Sequence, residues 1–157
     1  MEKFYYNSQI GYLEIMYENN ELISLKPVKK IQKSNNETDF TKDIKKQLDE
    51  YFRGERKKFD VKINPKGTEF QKRVWNELKN IPYGTTKSYC EIAKNIGNEN
   101  AQRATGSACN KNPVMIIIPC HRVISKSGAL GGFAYGNEIK EKLLKIENIN
   151  FKLKNRP

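Results

Sequence analysis

Cys120 and His121 stand side by side in the stretch "NPVMIIIPCHRVIS", residues 112–125, and His121 is the only histidine in the chain. A cysteine sulfur attacks as the thiolate, and a neighbouring base or cation favours that form. Cys120 has His121 and then Arg122 beside it. The apolar run Val114–Ile118 reads as a buried strand, and Pro119 ends or bends it. Cys120 is thus expected in a loop leaving a strand, where reactive groups are often carried. Side chains of adjacent residues on an extended chain point to opposite faces. His121 would therefore reach the thiol through a water rather than directly. A carboxylate on the other ring nitrogen would complete a proton relay, but spacing does not say which carboxylate. Cys90 and Cys109 fall inside helical patterns and read as small buried residues.

Two sets of elements must position this pair. Residues 1–64 read as an N-terminal α/β domain. Short β-rich runs broken at Asn7, Gly11 and "ENN" predict three strands. A polar loop follows over 29–38. Phe40, Ile44, Leu48 and Phe52 then recur at a four-residue spacing with Gly54 as the stop, which predicts an amphipathic helix. "KFDVKINP" reads as a further strand. Residues 65–157 read as mostly helical. Thr68 and Gln71 have capping-box spacing and open a helix whose core face is Phe70, Val74, Trp75 and Leu78. Ser88 and Glu91 repeat that signal, and Ile92 and Ile96 follow before Gly97. A second short helix over "ENAQRATGSACNK" completes a helix-turn-helix pattern.

That second helix carries Ala101, Ala104, Gly106, Ser107 and Ala108, with Arg103 standing among them. Small side chains allow close approach, either to a neighbouring helix or to a nucleic-acid groove with Arg103 as the long probe. Charge bears on the choice. The net charge is +11; residues 1–64 carry 13 Lys/Arg against 11 Asp/Glu, and residues 65–157 carry 16 against 7. The basic excess lies with Cys120, which suits a polyanionic partner.

No segment approaches the roughly 18 apolar residues of a membrane span, and "MEKFYYNSQIGYLEI" lacks the apolar core of a signal peptide. Three cysteines without paired spacing suit free thiols in a reducing cytoplasm. The absence of CxxC excludes a thioredoxin-type motif, and three Cys with one His make a poor zinc set.

The motifs together are specific. "GTEFQKRVW", "IPYGTTKSYCEIA", "RATGSACNKNPVMIIIPCHRV", "GGFAYG" and "KEKLLKIEN" occur in this order. Over about residues 65–150 the chain resembles the O6-alkylguanine-DNA alkyltransferases, also called methylated-DNA–protein-cysteine methyltransferases. The N-terminal part matches only loosely. The resemblance implies an α+β fold, with a ribonuclease-H-like antiparallel sheet and helix before a helical domain holding the helix-turn-helix and the active-site cysteine loop. It also implies stoichiometric, irreversible transfer of an alkyl group from O6-alkylguanine in double-stranded DNA to Cys120, with O4-alkylthymine as a second candidate substrate.

By the same resemblance His121 deprotonates Cys120 through a water, Glu147 orients His121, and Asn112 bonds around the active-site turn. Tyr89 donates to the base as charge develops, and Lys140 helps near the same edge. Val123, Ala134 and Tyr135 join Lys140 in the base site. Arg103 fills the stack vacated by the flipped nucleotide, and Ala104 and Ser107 approach the DNA minor groove. Phe133 stands where some members have tyrosine, Ala134 where some have serine, and Tyr135 where some have glycine, which narrows access for large alkyl groups. Ligands for the zinc found in some members are missing, so no metal and no cofactor are expected, and the protein should act as a monomer. Two rivals remain: a non-catalytic alkyltransferase-like damage binder, and a hydrolase using Cys120, His121 and Glu147.

Overall fold

The structure, a computed structural model, describes residues 1–151; residues 152–157, the end of the part expected over 65–157, lie outside the described residues. The chain divides into two compact units, Met1–Lys66 and Gly67–Pro157.

In the first unit, strands β1 (Glu2–Ser8), β2 (Gly11–Glu18) and β3 (Glu21–Pro27) form an antiparallel sheet in sequence order. Asn19 and Asn20 both have positive φ, +52° and +58°. That pairing makes a two-residue hairpin whose twist matches the strands it joins. Period-two alternation buries Leu13, Ile15 and Tyr17 of β2. Helix α1 (Asp39–Phe52) is capped by Thr38 and Thr41, and it buries Ile44, Leu48, Tyr51 and Phe52. Its Phe40 and Phe52 rings meet Tyr17 and Tyr6 of the sheet at 5.0 and 6.2 Å.

The strand expected over "KFDVKINP" is not formed. Only Ile63 pairs, as a single parallel bridge to Leu22. Gln47 of α1 takes the Asp60 N–H at 2.9 Å and donates to the Asp60 carbonyl at 3.0 Å. Pro65 follows at once and has no N–H to extend the pairing.

The second unit contains α2 (Glu69–Leu78), β4 (Lys87–Ser88), α3 (Tyr89–Asn95), α4 (Gln102–Asn110), a 3₁₀ turn (Cys120–Arg122), β5 (Val123–Ile124) and α5 (Asn137–Ile146). β4 and β5 pair in parallel. Thr68 and Gln71 form the complete capping box of α2. Ser88 accepts the Glu91 N–H at 3.1 Å, but the return bond is side chain to side chain, from Ser88 Oγ to Glu91 Oε1. α3 and α4 are the two expected helices, and Gly97 turns between them at φ +85°. Trp75 fastens α2 to α4 by donating from Nε1 to the Ala108 carbonyl at 2.9 Å.

The run Val114–Ile118 is not a strand. It is a compact turn, with Ile118 N–H on the Val114 carbonyl at 3.0 Å and Ile117 N–H on that of Met115 at 2.9 Å. The Asn112 side chain serves the backbone as a neighbouring strand would, accepting from Val114 N–H at 2.9 Å and donating to the Ile118 carbonyl at 2.7 Å. Ile116 sits at φ +73°, an uncommon conformation for a β-branched residue. Val114, Met115, Ile116 and Ile118 are all buried, so packing holds the turn. No helix among the described residues is long and apolar enough to cross a membrane.

Candidate active site

The turn delivers Cys120 into a 3₁₀ segment rather than a loop leaving a strand. Cys120 N–H bonds the Ile118 carbonyl at 2.8 Å, and Arg122 N–H bonds that of Pro119 at 3.0 Å. Cys120 is only 4% exposed. Its Sγ accepts from Asn112 Nδ2 at 3.1 Å. Burial pushes the thiol up to about 11, against the pull of the Asn112 hydrogen bond and the Lys140 charge. The group is therefore a protonated thiol at neutral pH and needs a base. The expected activation by Arg122 is absent, because that guanidinium is engaged elsewhere.

Its partner is Glu147, at the C-cap of α5. Arg122 Nε donates to Glu147 Oε1 at 2.7 Å, Nη2 donates to Oε2 at 3.2 Å, and Nη1 reaches the Ile81 carbonyl at 2.8 Å. His121 Nε2 lies 2.6 Å from Glu147 Oε2. Gly84 N–H adds a fourth donor at 3.3 Å, from a backbone turn at φ +79°. The Tyr83 ring lies 5.7 Å from the Arg122 guanidinium.

Burial alone would raise the Glu147 carboxyl, but its hydrogen bonds and opposite charges hold it at about 2. Burial lowers His121, more than the Glu147 carboxylate raises it. The pair is thus an ionised carboxylate beside a neutral imidazole. An ionised carboxylate only accepts, so Nε2 carries the proton and Nδ1 carries the lone pair. Nδ1 has no hydrogen-bond partner among the described residues.

Lys140 is fully buried. Its ammonium donates to the carbonyls of Val123 at 2.7 Å, Leu130 at 2.5 Å and Gly132 at 3.4 Å. Burial lowers it to about 8, against the pull of the Cys120 and Cys109 thiols. Val123 is buried, while Ala134 is exposed.

Tyr89 opens α3 and donates to the Gly132 carbonyl at 3.3 Å. A Cβ on Gly131 would stand 3.3 Å from that ring, so the glycine admits it. Burial raises Tyr89 and Tyr135 to about 12, which keeps both phenols protonated as donors. Tyr135 donates to the Asn112 carbonyl at 3.0 Å. Arg103, Ala104 and Ser107 are exposed on α4. Arg103 and Ser107 border an open cleft of about 620 Å³ with Tyr89, Gly106, Lys111 and Gly132.

The structure therefore gathers Cys120, Asn112, His121 and Glu147 into one buried cluster, and Tyr89, Arg103 and Ser107 onto one cleft. Sequence reasoning missed the "IPYG" turn as part of the site and Arg122 as the counter-ion of Glu147. The signal for the turn was its proline and glycine; nothing local pointed 63 residues ahead from Gly84 to Glu147. Among the described residues no group of three or more His, Cys, Asp or Glu side chains could hold a metal ion.

Known proteins match both units. Residues 69–149 match the 6-O-methylguanine DNA methyltransferase DNA-binding domain, and residues 1–65 match its ribonuclease-like domain. A methylated-DNA–protein-cysteine methyltransferase of Methanosarcina acetivorans is 61% identical over 109 residues, 69% of this chain and 70% of that one. The constitutive methylated-DNA–protein-cysteine methyltransferase of Bacillus subtilis is 49% identical over 119 residues, 75% of this chain and 72% of that one. The crystal structure of Mycobacterium tuberculosis O6-methylguanine methyltransferase aligns with TM-score 0.84 at 39% identity, covering 93% of this chain and 92% of that one. That of M. tuberculosis OGT in complex with DNA aligns with TM-score 0.85 at 40% identity, covering 94% and 92%.

Proposed function

This chain belongs to the 6-O-methylguanine DNA methyltransferase family, and we propose that Cys120 is the sulfur that receives the alkyl group. The protein repairs DNA by moving an alkyl group from an alkylated base to its own cysteine. The Cys120 thiolate attacks the alkyl carbon of O6-alkylguanine, or of O4-alkylthymine; a C–S bond forms, the C–O bond breaks, and the base leaves with the electron pair. The product is a thioether with no good leaving group, so each molecule acts once and no cofactor takes part.

The observation that carries this reading is the buried imidazole. His121 has Nε2 tied to Glu147 and Nδ1 open, one residue from a thiol that burial keeps protonated. Nδ1 takes the thiol proton through a water, and Glu147 stabilises the imidazolium formed. Such base help is typically worth about a hundredfold to ten-thousandfold. Asn112 supports the sulfur as charge grows on it. The Tyr89 hydroxyl donates to the leaving base, where negative charge appears in the transition state. Lys140 acts on the base site through the carbonyls it gathers, while Val123, Ala134 and Tyr135 form its walls.

The reacting atom lies inside the duplex, so the nucleotide must be flipped out. Arg103 fills the gap, and small Ala104 and Ser107 let α4 approach the minor groove. The unit that begins at Gly67 carries this chemistry, two residues beyond the boundary expected after residue 64, and Met1–Lys66 is the N-terminal domain. The protein works as a monomer in the cytoplasm, where its three free thiols are suited to a reducing medium.

The test is intact mass after incubation with a duplex containing O6-methylguanine. Gain of one methylene mass, mapped to Cys120, is expected. Binding without added mass would make the protein a damage binder, and turnover without retained mass would make it a hydrolase.

A further inference from the structure

The stretch over residues 81–84 is bonded to both members of the Arg122–Glu147 ion pair. The Ile81 carbonyl accepts from Arg122 Nη1 at 2.8 Å. Gly84 N–H donates to Glu147 Oε1 at 3.3 Å. Between them stands Tyr83. Its hydroxyl donates to the Ile146 carbonyl at 3.2 Å, and its ring has the Arg122 guanidinium over it at 5.7 Å.

Ile146 closes α5, and Glu147 is the next residue. A helix end leaves its last carbonyls without intrahelical donors. Here the Leu143, Lys145 and Leu144 carbonyls take the N–H groups of Glu147, Asn148 and Ile149, at 3.2, 3.0 and 2.9 Å. The Ile146 carbonyl takes the Tyr83 hydroxyl, from 63 residues away. That carbonyl lies in the same rigid peptide plane as the Glu147 nitrogen. A donor placed on it therefore fixes the direction in which the chain enters Glu147. Gly84 comes close as well: a Cβ there would stand 3.7 Å from the Glu147 carbonyl. Two neighbouring residues of one turn thus hold the backbone and the carboxylate of Glu147 together.

We infer that Tyr83 is a positioning residue for alkyl transfer: its hydroxyl sets the peptide plane before Glu147 and so keeps the carboxylate against His121 while the imidazole carries the proton. The inference rests on the alkyl-transfer reading above and adds a residue that serves its base. His121 Nε2 lies 2.6 Å from Glu147 Oε2. A carboxylate fixed there stabilises the imidazolium with no reorganisation at the moment of reaction. Burial, and then the Glu147 charge, raises Tyr83 above its ordinary value against the pull of Arg122, so the phenol stays a donor at neutral pH. Glu147, Arg122 and Lys140 are the charges that act on His121, and loss of the Tyr83 hydroxyl leaves all three in place.

Tyr83→Phe keeps the ring beside Arg122 and removes the donor. Single-turnover methyl transfer from an O6-methylguanine duplex is timed from neutral to alkaline pH. At neutral pH the variant should be roughly threefold to tenfold slower, the worth of one ordinary hydrogen bond. The defect should fade as pH rises, because solvent then makes the Cys120 thiolate without the relay. In a Glu147→Gln background the same substitution should cost no further rate, since its effect runs through the carboxylate it positions. Rate constants come from the time course, so a misfolded fraction lowers the amplitude and leaves them intact. A loss of less than threefold overturns the inference. So does a defect that stays constant across pH, or a full further loss in the Glu147→Gln background; either would make Tyr83 a prop of the fold alone. Methyl retention by the wild type is scored in the same series. Its absence would sink the transfer reading itself, whereas an unchanged Tyr83→Phe rate with transfer intact sinks this inference alone.

Discussion

Gln47 and Glu147 are equally buried, at 3% and 2% exposure, and each organises the backbone of a distant segment. Gln47 does so as a neutral amide, pairing with both polar groups of Asp60. Glu147 does so as a charge, with a guanidinium and an imidazole against it. The contrast extends to the units that hold them. Among the described residues, Met1–Lys66 buries no Asp, Glu, Lys, Arg or His, whereas the second unit buries His121, Arg122, Lys140 and Glu147. Removing a charge from water costs several kcal/mol even when it is paired. The first unit shows that this chain builds a core without that cost. The second unit carries it where the sulfur must be fed a base and shaped by carbonyls.

The largest effect on the chemistry should come from Cys120→Ser, which abolishes transfer and leaves DNA binding in place. Alkyl mass retained by that variant on Cys90 or Cys109 would move the active centre.

Next is Glu147→Gln, which keeps the shape and removes the charge. Transfer at neutral pH should slow by about a hundredfold to ten-thousandfold. The defect should shrink as pH rises toward about 11, where solvent alone makes the Cys120 thiolate. Leaving Arg122 without its counter-ion should also lower stability by about 3–5 kcal/mol, read from denaturant unfolding. Parallel pH–rate profiles for wild type and variant would remove the relay and leave His121 as packing.

Arg103→Ala should slow repair of duplex DNA by roughly tenfold, the loss of one contact worth about 1.4 kcal/mol, and leave reaction with the free modified base unchanged. The free base needs no flipping. Equal slowing on both would refute the role.

The smallest effect leaves neutral-pH chemistry alone and concerns acid. His121 titrates below its ordinary value and Glu147 at about 2 in place of 4.5. As pH falls below about 6.5, the unfolded chain binds protons before the folded one does. Stability from both groups is therefore lost progressively toward pH 2. The first unit buries no such groups. Hydrogen exchange, corrected for its intrinsic pH dependence, should show α5 losing protection before β1–β3. Simultaneous loss would erase the contrast between the units.

Much of this was legible in the chain. Strand alternation, the caps at Thr68 and Ser88, the Gly97 stop and the Cys120–His121 pair are local signals, set within a few residues of where they act. What escaped were effects of distant partners. The run Val114–Ile118 is apolar because four of its five residues are buried, and that composition does not separate a strand from a packed turn. Asn112 decided it. "KFDVKINP" had strand-like residues, but Gln47 took the backbone groups that pairing needs. Lys140 was expected near the edge of the base; the three carbonyls from two other segments that its ammonium gathers were not legible. Arg122 stood in plain view beside the cysteine, yet its role depends on Glu147, 25 residues on.

Trp75 has a practical consequence. It is the only tryptophan in the chain, its ring is 2% exposed, and its indole N–H holds the Ala108 carbonyl of α4. Gly67 lies against the ring with no room for a side chain, which fixes the indole from the other side. Indole emission changes colour with the polarity around it. The protein therefore carries its own optical gauge, wired by one hydrogen bond to the helix that bears Arg103. A stopped-flow trace of intrinsic fluorescence, with no dye attached, can time the moment at which that helix meets its duplex.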